Sequence, residues 1–257
     1  MSASAGSAEA RSMTGPILEV RRATKRFAGV TAVDQVSFAV SQGALVSIIG
    51  PNGAGKTTLF NMLTGQLAPT EGEVRLRGAS INAATPHQRA RMGMGRTFQI
   101  AKPLLALNAL ENVMVGAFLR HPRLHAAQER AMAVLEEIGL AGRADRRAGE
   151  LTLSERRRLE VARALALDPE ILLLDEVMAG LNASEIAEAI ELVRRLHARG
   201  LTVLIIEHNL TVVRSISERI IVLHHGALLA DGGVDEIMNA PQVVEAYLGG
   251  RREWKPS

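Results

Sequence analysis

Residues 50–57, GPNGAGKT, have the types and spacing of a phosphate-binding loop. They fit the pattern G-x-x-x-x-G-K-S/T, in which glycines let the backbone wrap around phosphate oxygens with its N–H groups pointing inward. Lys56 would pair with the β- and γ-phosphates of a nucleoside triphosphate, and the Thr57 hydroxyl would be a ligand of Mg²⁺. The residues predicted to bind the nucleotide here are Gly50, Pro51, Asn52, Gly53, Ala54, Gly55, Lys56, Thr57 and Thr58.

Two adjacent acids, Asp175 and Glu176, follow the apolar run at residues 171–174. In proteins with such a phosphate-binding loop, an acid at the tip of a neighbouring strand holds Mg²⁺, and Asp175 suits that role. Glu176 would then lie near the γ-phosphate, where it could act as general base on the attacking water. By itself, this pair would be interpreted as two solvated acids at a strand end. The loop at residues 50–57 makes the catalytic interpretation the stronger one.

His208 follows a second apolar run, residues 201–206, and is preceded by Glu207. A histidine at the C-terminal tip of a parallel strand faces the ligand crevice, where it could donate to the γ-phosphate and orient the water. A lone histidine is more often structural, but this position favours a functional role. The predicted chemistry is in-line attack of water on the γ-phosphate, with Lys56 and Mg²⁺ neutralising the developing charge.

The elements that must position these residues can be predicted from the apolar pattern. Residues 45–49 form a compact apolar strand that leads straight into the phosphate-binding loop, and residues 57–67 are expected to form the helix after it. Residues 171–174 and 201–206 are apolar on both faces, which is typical of parallel strands covered by helices. Residues 184–199 are predicted to form the crossover helix between them.

The rest of the chain is predicted to surround this parallel sheet. Alternating apolar residues and glycine turns indicate short antiparallel strands in residues 17–46 and a hairpin in residues 72–81. The pattern becomes helical over about residues 86–166. A further strand is expected at residues 220–223, and one or two short helices are expected at residues 234–248.

Composition restricts the classes of protein to consider. The chain has 257 residues, of which 47% are apolar and 3% aromatic, and it contains no cysteine. Disulfides, cysteine-ligated zinc and thiol catalysis are therefore excluded, which suits a reducing cytosol. No apolar run approaches the ~20 residues that span a bilayer, and the polar N-terminus lacks the apolar segment of a secretory signal. The net charge of +3 is scattered along the chain, which favours a solvated surface over a nucleic-acid site.

The phosphate-binding loop, the acids Asp175 and Glu176, and His208 follow one another along the chain as in an ATP-binding cassette (ABC) ATPase. The chain resembles that family over about residues 17–249. The resemblance implies that ATP is the nucleotide and that Gln99 is a further catalytic residue and Mg²⁺ ligand, linking the nucleotide to a transporter. It also implies that Phe27 stacks on the adenine, for which core packing is the alternative. Residues 179–182, AGLN, match the loop through which two cassettes communicate. The resulting catalytic set is Lys56, Gln99, Glu176 and His208, and the metal set is Thr57, Gln99 and Asp175.

The resemblance can be narrowed to one group of transporters. The segments RTFQ at 96–99, RLEVARAL at 158–165 and AYLG at 246–249 are similar to those of the ATP-binding subunits of branched-chain amino acid importers. That group also serves amides, urea and aromatic acids. The resemblance implies a second cassette, identical or not, two membrane permeases and, indirectly, a periplasmic or extracellular binding protein. It places the chain at the cytoplasmic face of the membrane, with no nucleic acid partner.

An apolar segment at residues 100–116 would then dock a helix of a permease. Three alternatives stay open at this point: a cassette for another small-molecule cargo, a soluble cassette protein that does not serve transport, and a regulatory nucleotide binder without turnover. Asp175, Glu176 and His208 argue against the regulatory binder. Of the first two, the cassette for another cargo is the closer alternative. The second is disfavoured because such relatives usually carry two cassettes, a long coiled coil or zinc-binding cysteines.

The resemblance implies an α/β fold: a P-loop NTPase (RecA-like) parallel-sheet core with an N-terminal antiparallel β subdomain and an inserted helical subdomain. The expected boundaries are a disordered tail at residues 1–15, the β subdomain with the first part of the core at 16–99, the helical subdomain at 100–166, the second part of the core at 167–232, and C-terminal helices with a tail at 233–257.

Residues 151–155 depart from the family, in which a Leu-Ser-Gly-Gly-Gln-like element at a helix N-terminus contacts the γ-phosphate of ATP on the opposite subunit. Thr152 keeps a hydroxyl, and Ser154 keeps a backbone N–H in place of a glycine. Glu155 replaces glutamine and would repel a phosphate. We predict that this signature element, with its donors retained, is competent but weaker. Its residues are Leu151, Thr152, Leu153, Ser154 and Glu155.

Two further features accompany this departure. The arginines at residues 156–158 could offset the charge of Glu155, although they are expected to face mostly solvent. Val177 stands where the family usually has a proline after the catalytic glutamate. The turn after Glu176 could therefore be looser, with no reactive group lost.

Overall fold

The computed structural model describes residues 15–97 and 103–248 of the 257-residue chain. Gln99, residues 1–14 of the predicted N-terminal tail and residues 249–257 lie outside the described residues. In chain order the strands are β1 (Leu18–Phe27), β2 (Val30–Val40), β3 (Leu45–Ile49), β4 (Glu71–Leu76), β5 (Ala79–Ser80), β6 (Met94–Arg96), β7 (Ile171–Asp175), β8 (Thr202–Ile206), β9 (Arg219–His224) and β10 (Ala227–Gly233). The α-helices are α1 (Lys56–Leu63), α2 (Pro86–Arg91), α3 (Ala109–Ala117), α4 (Leu124–Glu137), α5 (Leu153–Leu165), α6 (Ala183–Ala198), α7 (Leu210–Ile216), α8 (Val234–Met238) and α9 (Pro241–Leu248).

The strands form two sheets. A 4-stranded antiparallel sheet has the order β2-β1-β4-β5, and a 6-stranded sheet has the order β10-β9-β3-β8-β7-β6. In the larger sheet the strands from β9 to β6 are parallel, and β10 pairs antiparallel with β9. Ile206 at the end of β8 is in register with Ile48 of β3 and with Asp175 of β7. The segments that follow these three strands therefore emerge at the same edge.

The larger sheet has a hydrophobic core on each face, which explains its unbroken apolar strands. Every residue of β3, β7 and β8 is buried. Leu172 and Leu174 pack with helices α3 to α6, whereas Ile171 and Leu173 pack with α1 and the antiparallel sheet. Successive residues of one strand thus serve opposite cores, because side chains alternate across a sheet.

The architecture confirms the predicted fold class, with three differences in the elements. Strand β6 lies inside the stretch that was expected to be helical; it has only three residues, too few to show a period of two. Helix α7 and strand β10 were not predicted. Strand β10 is an edge strand with no buried residue, so its sequence lacks the apolar signal of the central strands. Within the described residues, none of the helices has the length and apolarity needed to cross a membrane.

Candidate active site

The phosphate-binding loop connects β3 to α1 and requires glycine at two positions. Gly50 has φ 151°, and a Cβ at this residue would lie 2.2 Å from the Leu223 carbonyl oxygen. Gly55 has φ 96°, and its Cβ would lie 2.4 Å from the Ala32 carbonyl oxygen. Gly55 is also the N-cap of α1 and supplies no side-chain hydrogen bond. The first N–H groups of the helix are therefore not capped by that residue, which suits an anion.

Lys56, the first residue of α1, is held inside this loop. Its Nζ donates to the carbonyl oxygens of Gly50, at 2.6 Å, and Pro51, at 2.9 Å. Only 7% of the residue is exposed. Burial lowers the pKa of the Lys56 amine, and the carboxylates of Glu176 and Asp175 oppose that shift. The loop, the lysine and the two predicted acids therefore share one electrostatic environment.

Asp175 ends β7 and has two different carboxylate oxygens. Arg96 Nη2 donates to Oδ2 at 3.0 Å, whereas the buried Oδ1 has no hydrogen-bond partner within residues 15–97 and 103–248. Burial raises the pKa of the Asp175 carboxyl, and the Arg96 guanidinium opposes the shift. An unpartnered buried anionic oxygen fits a cation. Mg²⁺ prefers oxygen ligands and commonly takes only one or two from protein carboxylates, so Asp175 with the exposed Thr57 hydroxyl is a suitable set.

Glu176 lies in the turn after β7 with a left-handed backbone, φ 48°. Its N–H donates to the Ile206 carbonyl oxygen at 3.0 Å, which ties this turn to the end of β8. His208 Nδ1 lies 4.0 Å from Glu176 Oε1, and the histidine side chain is 57% exposed. The structure therefore brings the predicted base and the predicted histidine together. A non-glycine residue with positive φ is strained, and such strain concentrates at functional sites.

Glu207 is a buried acid to which the sequence pattern assigns no role beyond its position before His208. It is 1% exposed, and its Oε1 accepts from the Met178 N–H at 3.2 Å. Burial raises the pKa of the Glu207 carboxyl to about 7. The residue thereby connects the end of β8 to the turn that follows Glu176. The apolar run at residues 201–206 before Glu207 predicts burial, but nothing in the sequence predicts the contact with Met178.

The signature element begins α5 with a reciprocal capping box. The Glu155 N–H donates to Thr152 Oγ1 at 3.2 Å, and the Thr152 N–H donates to Glu155 Oε2 at 2.9 Å. Arg143 Nε donates to the other oxygen of Glu155 at 2.8 Å. The N–H groups of Thr152 and Glu155 are thus engaged inside the chain, and the Thr152 hydroxyl oxygen already accepts one hydrogen bond. The charge of Glu155 is partly neutralised by Arg143.

The arginines that follow this element do not face mostly solvent, contrary to the expectation from the sequence. The side chain of Arg157 is 11% exposed and that of Arg158 is 27% exposed. Arg156 Nη2 donates to the Gly149 carbonyl oxygen at 2.7 Å. Arg158 Nη1 lies 3.7 Å from Glu188 Oε2 on α6, so these long side chains cover neighbouring protein surface.

Leu153 and Phe27 are apolar side chains left partly exposed. Leu153, the first residue of α5, is 47% exposed, and its Cδ2 lies 3.2 Å from the position of a Cβ added to Gly180. The signature element therefore packs on the AGLN loop of its own subunit. Phe27 ends β1 with 43% exposure, and Lys25 Nζ lies 5.2 Å from the ring centroid. The ring thus keeps an accessible surface, as stacking on a base requires.

A parallel sheet whose strand β3 leads into this loop, with acids at the tip of a nearby strand, defines a P-loop NTPase. The sequence model of the ABC transporter family matches residues 33–179, and the chain belongs to that family. It is 43% identical over 255 residues to the high-affinity branched-chain amino acid transport ATP-binding protein BraF of Pseudomonas aeruginosa, covering 92% of this chain and 99% of the relative. The predicted family is thereby confirmed.

Two solved structures support the same assignment. A nucleotide-free ATP-binding cassette from an ABC transporter superposes with a TM-score of 0.84 at 32% identity, covering 91% of this chain and 99% of that one. A dimeric cassette in a post-hydrolysis state, bound to ADP and phosphate, gives a TM-score of 0.77 at 27% identity, covering 84% and 98%. The chain is an ATP-binding cassette ATPase.

Proposed function

We propose that this ATPase powers uptake of branched-chain or related amino acids as a peripheral subunit at the cytoplasmic face of a membrane. The observation that carries the catalytic part is the convergence of Lys56, Asp175, Glu176 and His208 at one edge of the sheet. The cargo class rests on the identity of 43% with a branched-chain amino acid transport subunit over 99% of that relative's length.

In the proposed reaction, Lys56 moves from its loop carbonyls onto the β- and γ-phosphates. Thr57 and Asp175 would hold Mg²⁺, together with Gln99, which lies outside the described residues. Mg²⁺, when bound, supplies positive charge opposite the phosphate oxygens. The backbone N–H groups of residues 50–58, other than Pro51, surround the phosphates, and Phe27 covers the adenine with its exposed ring face.

Glu176 acts as the general base on the attacking water, and His208 donates to the γ-phosphate. The separation of 4.0 Å between His208 Nδ1 and Glu176 Oε1 leaves both side chains able to approach one water molecule. The backbone of Glu176 is left-handed, and its side chain is 19% exposed. Proton removal by a positioned carboxylate contributes about 10²–10⁴-fold to such reactions.

A second cassette completes the proposed assembly. The signature element at residues 151–155 would meet the γ-phosphate of nucleotide bound to that partner, and residues 179–182 would connect the two sites. Because Thr152 and Glu155 cap each other, the amides of Leu153 and Ser154 and the hydroxyl of Thr152 are the donors left for a phosphate. Two permeases and, indirectly, a binding protein are the remaining partners in this proposal.

Exposed apolar side chains mark the proposed docking surface for a permease. Leu104 and Leu105 are 43% and 55% exposed, next to helix α3, where Val115 and Phe118 are 48% and 41% exposed. A patch of this kind suits an apolar helix from a membrane partner. The proposed domain boundaries, with helical residues 100–166 between two parts of the core, put this surface outside the ATPase core.

The catalytic proposal is tested by replacing Glu176 with Gln. ATP hydrolysis should fall by about 10²–10⁴-fold while ATP binding persists, because only the base is lost. Glu170→Gln is the control, since Glu170 precedes the same strand at its opposite end. Hydrolysis by purified protein and equilibrium binding of a fluorescent ATP analogue are the measurements. Near-normal hydrolysis by Glu176→Gln would contradict the assigned role.

The cargo proposal is tested with the chain, its partner cassette and its permeases in sealed vesicles. Uptake of labelled leucine should depend on ATP and disappear with Glu176→Gln. Labelled urea and an aromatic amino acid, supplied in the same assay with their binding proteins, separate the related cargo classes. ATP-dependent uptake of urea without uptake of leucine would replace the proposed cargo with the alternative.

A further inference from the structure

We propose that Arg96 is a positioning residue for ATP hydrolysis: it fixes the Asp175 carboxylate so that Oδ1 is presented to Mg²⁺, and it ties that carboxylate to the helix that carries Lys56. The proposal rests on the function proposed above. It assigns to Arg96 no contact with nucleotide or metal. The role is to set the orientation of one ligand relative to the phosphate-binding loop.

Arg96 is paired with Asp175 through a part-buried hydrogen bond. The two residues end neighbouring strands, β6 and β7, and Arg96 Nη2 donates to Asp175 Oδ2 at 3.0 Å. Their side chains are only 9% and 1% exposed. The guanidinium thus occupies one carboxylate oxygen from a fixed direction. The buried Oδ1 is left without a hydrogen-bond partner among the described residues, and it is the oxygen available to a cation.

The same guanidinium is also linked to helix α1. Arg96 Nη1 donates to Asn61 Oδ1 at 2.7 Å and to Thr64 Oγ1 at 2.8 Å. Asn61 lies in the last turn of α1 and Thr64 is its C-cap, while Lys56 is its first residue. A guanidinium is a rigid planar fork, so its two ends keep a fixed separation. The carboxylate and the phosphate-binding helix are therefore held in one frame.

The backbone of Asp175 is fixed by the residue next to Arg96. Thr97 Oγ1 accepts from the Asp175 N–H at 3.1 Å, and the Thr97 N–H donates to the Leu173 carbonyl oxygen at 2.9 Å. Buried ion pairs contribute little net stability, since desolvation offsets their attraction. A pair that costs desolvation and leaves one oxygen unpartnered is better explained by geometry than by stability.

Arg89 supplies a matched control for the test. It is also buried, at 1% exposure, and binds the same end of α1 through the carbonyl oxygens of Met62 and Leu63, at 2.6 and 2.7 Å. Its remaining hydrogen bonds within the described residues go to the carbonyl oxygens of Ile81 and Ala84. Arg89 therefore shares the burial and the helix contact of Arg96, but its hydrogen bonds do not include Asp175.

The experiment measures how Mg²⁺ changes the affinity of the full chain for a fluorescent, non-hydrolysable ATP analogue. Arg96→Gln should raise the Mg²⁺ concentration needed for half-maximal enhancement by about 10–100-fold, as loss of an outer partner of a metal ligand does. Affinity in excess EDTA should stay within about twofold of wild type. Arg96→Lys, which keeps a charge beside Asp175, should restore part of the Mg²⁺ response and is the variant to use if Arg96→Gln does not fold.

The outcomes separate this inference from the proposed function. Asp175→Asn should abolish the Mg²⁺ enhancement; if it does not, the metal site proposed for Asp175 is wrong. If Asp175→Asn abolishes the enhancement but Arg96→Gln and Arg96→Lys respond like wild type, the positioning role is overturned. Arg89→Gln should lower the melting temperature without changing the Mg²⁺ response. An equal change in that response for Arg89→Gln would make the Arg96 effect a structural one and overturn the inference.

Discussion

Glu207 carries a buried carboxyl whose effect on stability should change with pH. Its pKa is raised by burial from 4.5 to about 7, so the folded protein favours the protonated acid more than the unfolded chain does. The contribution of Glu207 to the free energy of unfolding is fully present below about pH 4.5 and is lost as the pH rises to about 7. The loss is about 1.4 kcal/mol for each unit of pKa difference. Glu207→Gln should therefore be more stable than wild type at pH 8, with a smaller difference at pH 5.

Thermal unfolding of the two proteins at several pH values measures this difference. Glutamine keeps an oxygen for the Met178 N–H, so the contact at 3.2 Å need not be lost. Glu188→Gln is the control, because it makes the same chemical change at a side chain that is 62% exposed. A stability difference for Glu207→Gln that is constant from pH 5 to pH 8 would show that this carboxyl does not titrate as argued.

Single residues differ in how far sequence could assign them. The roles proposed for Lys56, Asp175 and Glu176 could be predicted because each residue adjoins a strongly patterned element. The contacts of Arg96 and Glu207 could not be predicted, since their partners Asp175 and Met178 lie far away in the chain. Arg96 and Asp175 are separated by 79 positions, and only the pairing of β6 with β7 brings them together. The capping box of Thr152 and Glu155 follows a local sequence pattern. Its two hydrogen bonds reduce the number of N–H groups that are free to bind a phosphate.

The backbone shape of the loop between β3 and α1 should depend on glycine at some positions more than at others. Gly53 and Gly55 are both left-handed, with φ 80° and 96°, but only Gly55 has a close neighbour. A Cβ on Gly55 would lie 2.4 Å from the Ala32 carbonyl oxygen, whereas one on Gly53 would meet nothing within 4 Å. Gly55→Ala should weaken ATP binding by more than tenfold, about 1.4 kcal/mol, because the loop must shift. Gly53→Ala should cost only the backbone strain of about 1–2 kcal/mol in stability.

Isothermal titration with ATP and Mg²⁺, together with thermal unfolding, distinguishes the two alanine variants. Equal losses of ATP affinity would mean that left-handed strain, and not the approach of Ala32, sets the loop geometry. The pair serves as its own control, since both changes add one methyl group to the same loop.

Among the strands and helices, those that are long enough and have a strong apolar or capping pattern could be predicted from sequence. Strands β3, β7 and β8 are fully buried, and α6 has Asn182 and Glu185 as a capping box at its start. The local sequence of such elements predicts where they begin and end. Strand β6 has three residues and exists because it pairs with β7, a contact that no local pattern records. Strand β10 is half-exposed at an edge, where composition is less constrained.

At the scale of the whole molecule, the departure at the signature element should control association with a second copy. Leu153 is 47% exposed and packs near Gly180, at the position of the first glycine in the Leu-Ser-Gly-Gly-Gln-like element that the resemblance implies. If this face meets a partner's nucleotide as proposed, the leucine holds the partner away from the amides of Leu153 and Ser154. In a Glu176→Gln background with ATP, Leu153→Gly should strengthen self-association by at least about tenfold, or 1.4 kcal/mol. Sedimentation velocity at several protein concentrations measures this change.

Stronger self-association of Leu153→Gly would be evidence for steric hindrance by Leu153, because removal of an exposed apolar side chain ordinarily weakens association. Leu124→Gly is the matched control: Leu124 is the first residue of α4, as Leu153 is of α5, and it is 65% exposed. Both variants place glycine at a first helical position, so their costs to the helix should be similar. Only Leu153→Gly should increase the dimer, and only when ATP is present. An increase without ATP, or an equal increase for Leu124→Gly, would show that the signature face does not meet the partner's nucleotide.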